Sequence, residues 1–166
     1  MNRSFTQPRE AQTPGSLSRR RMIGAVVMMA CVPSRHALGD PLLTFPLSIR
    51  GHRIRAEMAD TPASRMTGLM GRRSLPQDTG MLFVFDQPAP QAMWMKNTYV
   101  PLSVAFITAD GRILNIEDMS PQTEDTHPSA GAVLYALEME RGWFARKGIR
   151  AGDRVEGIAR FSKSRR

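Results

Sequence analysis

From Leu42 onward short runs of β-type residues alternate with clusters of Gly, Pro, Asn and Asp, and no apolar period sustains a long helix. Such a chain buries its apolar side chains by pairing short strands, so it folds as a sandwich or barrel. Residues 44–49 and 53–59 alternate apolar with polar, and Arg50-Gly51-His52 between them predicts a hairpin. Gly80 precedes Met81-Leu82-Phe83-Val84-Phe85, a run apolar on both faces and therefore a central buried strand. Further strands are expected at 91–95, 102–108, 113–119, 132–140 and 155–161, with Asp110-Gly111 and Gly152-Asp153 as turns and 120–131 as a polar loop. Asp60-Thr61-Pro62 opens a short helix in which Thr61 caps and Pro62 takes the first position. Met66, Leu69 and Met70 then fall on one helical face, and Gly71 ends it. Residues 142–147 suit one more helical turn. The fold class expected is mainly β: a single-domain antiparallel sandwich with one or two short helices, preceded by a signal segment.

The net charge of +8 points first to nucleic acid or an anionic membrane, but its distribution does not. Residues 1–40 carry six Arg against two acids, and the tail 161–166 adds three cations. Residues 41–160 hold fourteen Lys/Arg and thirteen Asp/Glu, a net of +1. With no basic face in the body of the chain, nucleic acid is not an expected partner.

The N-terminal basicity belongs to a different pattern. A polar stretch, 1–21, ends in Arg19-Arg20-Arg21, and the apolar stretch 22–32 follows, then Pro33-Ser34-Arg35-His36-Ala37. Eleven apolar residues are too few to span a bilayer, which needs about 20. This is the layout of an export signal over residues 1–37, with n-region 1–21 and h-region 22–32. Ser18-Arg19-Arg20-Arg21-Met22-Ile23 resembles a twin-arginine signal, and the general secretory route is the alternative. Cleavage is expected after Ser34 or Ala37, leaving a domain over 38–161 and a basic tail, 162–166. Cys31 is the single cysteine, so the processed chain has no thiol for a disulfide, a nucleophile or a metal. A lipid anchor on Cys31 is a further alternative; otherwise the membrane is met only during export.

Three strings carry a family resemblance: Arg65-x-x-Gly68-Leu69-Met70-x-Arg72-x-x-Leu75, Gly80-Met81-Leu82-Phe83-x-Phe85, and Trp94-Met95-Lys96-Asn97-Thr98-x-x-Pro101-Leu102. With Asp110-Gly111, Pro121, Leu137-Glu138, Gly148-Ile149 and Gly152-Asp153-x-Val155, the chain over 47–158 resembles the family called domain of unknown function 192. The resemblance implies a jelly-roll-like β sandwich and an exported protein, and it supplies no reaction. The family pattern often has Asp where this chain has Ser103, and Tyr where it has His127, so no role at those positions carries over.

Candidate site residues follow from side-chain chemistry. Trp94, Lys96 and Asn97 can set an indole beside an ammonium and an amide, which suits a sugar or an anionic metabolite. A structural account is open too: Asn97 makes a turn, Trp94 fills a groove and Lys96 is solvated. Arg65 and Arg72, seven apart, can clamp a carboxylate or phosphate, or simply face water. Glu138 and Glu140 share one face of a strand, about 6.6–6.8 Å apart, a pairing that glycoside hydrolysis uses. Glu138 can equally pair with an Arg. Met66, Met70, Met93 and Met95 can bind copper(I), or serve as core filler. There is no Gly-x-Ser-x-Gly elbow, phosphate loop or dinucleotide fingerprint. The expectation is a non-enzymatic binding or interaction module of the periplasm or envelope, with no metal or cofactor. Its partner is a small molecule or an envelope protein, met around Trp94, Lys96, Asn97 and Arg65. One alternative is an envelope hydrolase of a carbohydrate-like polymer acting through Glu138 or Asp153; another is a structural partner of an envelope complex.

Overall fold

A computed structural model describes residues 43–161, so the expected signal segment, Cys31 and the tail from 162 lie outside the described residues. Strands β1 (Thr44–Ile49) and β2 (His52–Ala59) form the hairpin, joined by Arg50 and Gly51, both at positive φ. Helix α1 (Pro62–Thr67) starts at a reciprocal cap: the Ser64 N–H donates to Thr61 Oγ1 at 3.1 Å, and the Thr61 N–H to Ser64 Oγ at 3.0 Å. Strand β3 (Thr79–Met93) is followed by β4 (Leu102–Ile107), β5 (Ile113–Met119) and β6 (His127–Glu140). Helix α2 (Trp143–Arg146), β7 (Val155–Glu156) and a 3-10 turn (Ile158–Phe161) complete the described chain.

The seven strands make one mainly β sheet in the order β5-β4-β6-β3-β2-β1-β7. Every neighbouring pair is antiparallel except β2 and β3, which run parallel. Parallel neighbours need a crossover, and residues 60–78, carrying α1, supply it. The expected all-antiparallel arrangement is corrected at this one pair. The two edges of the sheet then meet. The Val155 N–H donates to the Gly111 carbonyl at 2.8 Å, and the Ile113 N–H to that of Asp153 at 2.9 Å. The sheet is therefore curled into a barrel, with α1 outside it.

Two apolar clusters follow from the alternation of side chains along each strand. The larger draws on all seven strands, with Leu47, Ile54, Leu82, Ile107, Ile113 and Leu137 among its members, and fills the barrel. The second lies on the other face of β3, β4 and β6, where Met81, Phe83, Val104 and Phe106 meet Leu69, Met95 and Val100 from the connections. Residues 81–85 are apolar on both faces because both faces are covered.

Four local expectations are corrected. The helix ends at Thr67, with Gly68 as its C-cap, so Met66 is 67% exposed while Leu69, beyond the helix, is buried. Residues 91–95 are not a separate strand: β3 runs on through Pro88 and Pro90 to Met93, with register shifts against β6 on both sides of Ala89–Pro90. Such irregularities let a strand keep pairing where proline lacks a donor. Strand β6 starts at His127, inside the expected loop. The last strand has two residues, because Gly157 turns the backbone to φ 83 and the chain winds into the 3-10 turn.

Candidate functional site

The outer apolar face is incompletely covered. Between α1 with its following turn and the far end of β3 a cavity of about 600 Å³ remains. Phe83 and Glu138 lie on its sheet side; Arg65, Met66, Leu69 and Met70 line one wall. Phe85, Met93 and Trp94 line it as well, and Trp94 is 40% exposed.

Glu138 comes to this place by strand alternation. Leu137 and Met139 point into the barrel, so Glu138 points to the outer face, in register with Met81 on β3 and Val104 on β4. The approach of β3 to β6 at this point requires glycine: a Cβ on Gly80 would stand 2.2 Å from the Glu138 carbonyl oxygen. The Glu138 side chain is 3% exposed, and among the described residues no hydrogen bond or ion pair reaches its carboxyl group. Burial alone pushes its pKa up to about 8, so at neutral pH the protonated acid predominates. An Arg partner for Glu138 is thus not found. Glu140 is not its catalytic mate either: it is exposed and pairs with Arg146 at 2.8 Å.

Arg65 lines the cavity with its charge already engaged. Its guanidinium donates to the carbonyls of Asp60 and Val84, each at 2.8 Å, and to Asp86 Oδ2 at 3.1 Å. It ties α1 to β3 and so fixes the wall. Trp94 carries the Lys96 ammonium 5.3 Å above its ring, and Lys96 is also 3.2 Å from Glu124. Asn97 has φ 54 in a turn closed by the Thr98 N–H on the Met95 carbonyl at 3.0 Å. The Asn97 carbonyl accepts the Gly71 N–H at 2.9 Å, which joins this turn to the one after α1. Met95 is fully buried in the outer core, so the four methionines divide: Met66, Met70 and Met93 line the cavity and Met95 does not.

The remaining candidates lie elsewhere. Arg72 forms a two-pronged pair with Glu57 on β2. Asp153 belongs to the turn before β7: it accepts the Arg150 N–H at 2.9 Å and faces Arg50 at 3.3 Å, contacts that hold its pKa below the usual carboxylate range. Ser103 is buried, donates to Asp118 at 2.5 Å and accepts the Gly142 N–H at 2.8 Å, a bracing role between β4, β5 and the turn before α2. Among the described residues no cluster of three or more His, Cys, Asp or Glu is placed to hold a metal ion.

Three of the seven candidate residues, Arg65, Trp94 and Glu138, therefore share one cavity. Phe83, Phe85, Gln91 and Thr98 share it too, and their spacing carried no sign of it. The available signal was Glu138 itself, a lone acid inside the otherwise apolar stretch Tyr135-Ala136-Leu137-Glu138-Met139.

The fold and this site define a class: a small curled β domain with a side cavity built around one buried acid. The chain belongs to the family domain of unknown function 192 (DUF192), described as Uncharacterized ACR, whose model matches residues 45–157. It is similar to a solved Sinorhizobium meliloti protein provisionally described as a transcription regulator, at 40% identity and a TM-score of 0.69. That match covers 71% of this chain and 96% of the other. A solved Novosphingobium aromaticivorans protein of unknown function is 38% identical with a TM-score of 0.67, covering 69% of this chain and 86% of its own. No curated protein matches the chain.

Proposed function

We propose that this chain is an exported binding module whose cavity takes one small, largely apolar molecule bearing a single polar head group. The observation that carries this reading is Glu138, a carboxyl group without a protein partner among the described residues, in a cavity where Met, Phe, Leu and Trp side chains stand beside polar ones such as Gln87, Gln91 and Thr98. Concave, mostly apolar sites with one or two placed polar groups are the ordinary form of small-molecule sites. Thioether and aromatic walls adapt to varied ligand shapes. The layout of residues 1–37 supports export of the domain. A catalytic reading has less support: the other carboxylate on the cavity, Asp86, is bonded to Arg65. The description of the Sinorhizobium meliloti relative suggests a regulator, but the near neutrality of residues 41–160 favours a small ligand over nucleic acid.

The test is a fragment screen of the full chain by methyl NMR of its methionines. Hits should move the Met66, Met70 and Met93 resonances and leave Met139, inside the barrel, in place. Ala92 is exposed at the cavity, so Ala92→Trp should fill it, keep the thermal midpoint and abolish the hits. Hits that survive Ala92→Trp, or that move Met139 instead, would place binding elsewhere and sink the proposal.

A further inference from the structure

Resting on that reading, we infer that the head group bound beside Glu138 is a protonated amine, held as an ion pair on the Glu138 carboxylate with the apolar body of the ligand along Phe83, Met70 and Met93. The geometry separates three kinds of head group. An anion meets Arg65 as the sole cation among the described cavity-lining residues, and that guanidinium is already bonded to two carbonyls and Asp86. A neutral alcohol gains one hydrogen bond from the acid form of Glu138 and leaves the rest of the cavity indifferent to it. An ammonium gains a charge-assisted bond in a site shielded from water, where such a bond is strongest. It also faces ring surfaces that attract cations, and the Trp94 ring already carries one, the Lys96 ammonium.

The step balances in protons. Glu138 in its acid form and the ammonium ion give the carboxylate–ammonium pair and one proton released to the buffer. Glu138 is raised to about 8, so below that pH binding must expel this proton. The charged groups on the surrounding elements are Arg65 on α1 and Asp86 on β3, which bond to each other; Lys96 beyond Trp94, which pairs with Glu124; Glu57 on β2, beyond Met81 and paired with Arg72; and Glu117 on β5, beyond Val104, which accepts from Asn115. On β4 the residues beside Glu138 are apolar, and Glu140 on its own strand is engaged by Arg146. His127, in register with Met93, is the imidazole nearest this end of β3 along the β3–β6 pairing and so requires a control.

The experiment titrates the full chain with hexylamine, 1-hexanol and hexanoate, following the Met66, Met70 and Met93 methyl resonances from pH 6 to 9. Hexylamine should bind at least tenfold more tightly than 1-hexanol at pH 8, and hexanoate most weakly. Its affinity should rise about tenfold between pH 6 and 7 and level off above pH 8, one proton being released. Glu138→Gln should erase both the preference and the pH dependence while 1-hexanol still binds, and His127→Gln should leave both intact. Should Glu138→Gln not fold, Glu138→Met, which keeps the length without the carboxyl, carries the same expectation. Equal binding of hexylamine and 1-hexanol at these methyls, or a pH dependence that survives loss of the carboxyl, overturns the amine and leaves the binding reading standing. No shift of these methyls with any of the three overturns both.

Discussion

A carboxyl group that folding strips of water and leaves, among the described residues, without a partner is a liability that grows with pH. The folded pKa of Glu138, about 8, lies above the ordinary value of 4.5, so between them the folded state holds a proton that the unfolded state has lost. Stability is then complete below about pH 4.5, falls as pH rises toward 8 and is level above it. The loss is on the order of 5 kcal/mol, a large share of a small domain's stability. Glu138→Gln keeps the shape and removes the titration. Urea unfolding of the variant should give a stability flat from pH 5 to 8, apart from the background of surface groups. The native chain should lose most of this contribution over the same range, and a native chain equally flat would show that Glu138 is hydrated or paired. Glycoside chemistry at this residue was legible only as a possibility, because the separation from Glu140 is set locally while burial is set by residues from distant connections, such as Leu69 and Met70, that cover this part of the outer face.

The turn 95–98 and helix α1 are the elements that hold the cavity open, and both were readable to different degrees. Thr61 as a cap, Pro62 behind it and Asn97 as a turn residue are local signals, decided by a few backbone hydrogen bonds, and each takes that role here. Asn97 at φ 54 predicts an asymmetry: Asn tolerates the left-handed region that alanine avoids. Asn97→Gly should leave stability nearly unchanged, whereas Asn97→Ala should lower it by about 1 kcal/mol. Measured by denaturant midpoints, equal losses in the two variants would mean that the Asn97 side chain, not its backbone, matters. What sequence could not show was where regular structure stops. Helix α1 yields to Gly68 three residues before the expected end, since Leu69 must turn inward to cover Phe83 and Met95. Strand β3 runs past two prolines because its partner β6 is long enough to resume pairing beyond the irregularity, a fact held by residues 127–133 and not by 88–93.

At the scale of the whole molecule, the mainly β class was legible and the closure was not. Alternation and turn residues report which segments are strands, but the parallel β2–β3 pair and the meeting of the sheet edges join residues far apart in sequence. The seam depends on few contacts. Strand β7 has two residues, and its bonds to the start of β5 run through Gly111, Ile113, Asp153 and Val155. Gly111 sits at φ 84, where a Cβ would also come within 3.1 Å of Ile158 Cγ2 and 3.3 Å of the Val155 carbonyl oxygen. Gly111→Ala thus combines an unfavourable backbone with crowding at the seam, and a loss of about 2 kcal/mol is expected. Long strands paired along their length and short edges held by a few bonds open at different free energies. Amide hydrogen exchange should therefore show Gly152 and Val155 losing protection first in Gly111→Ala. Leu82 and Leu137, paired at the centre of β3 and β6, should stay protected until global unfolding. Uniform loss of protection across both groups would mean that closure of the seam and formation of the sheet are one cooperative event, and that the cavity on the outer face depends on the far edge of the barrel.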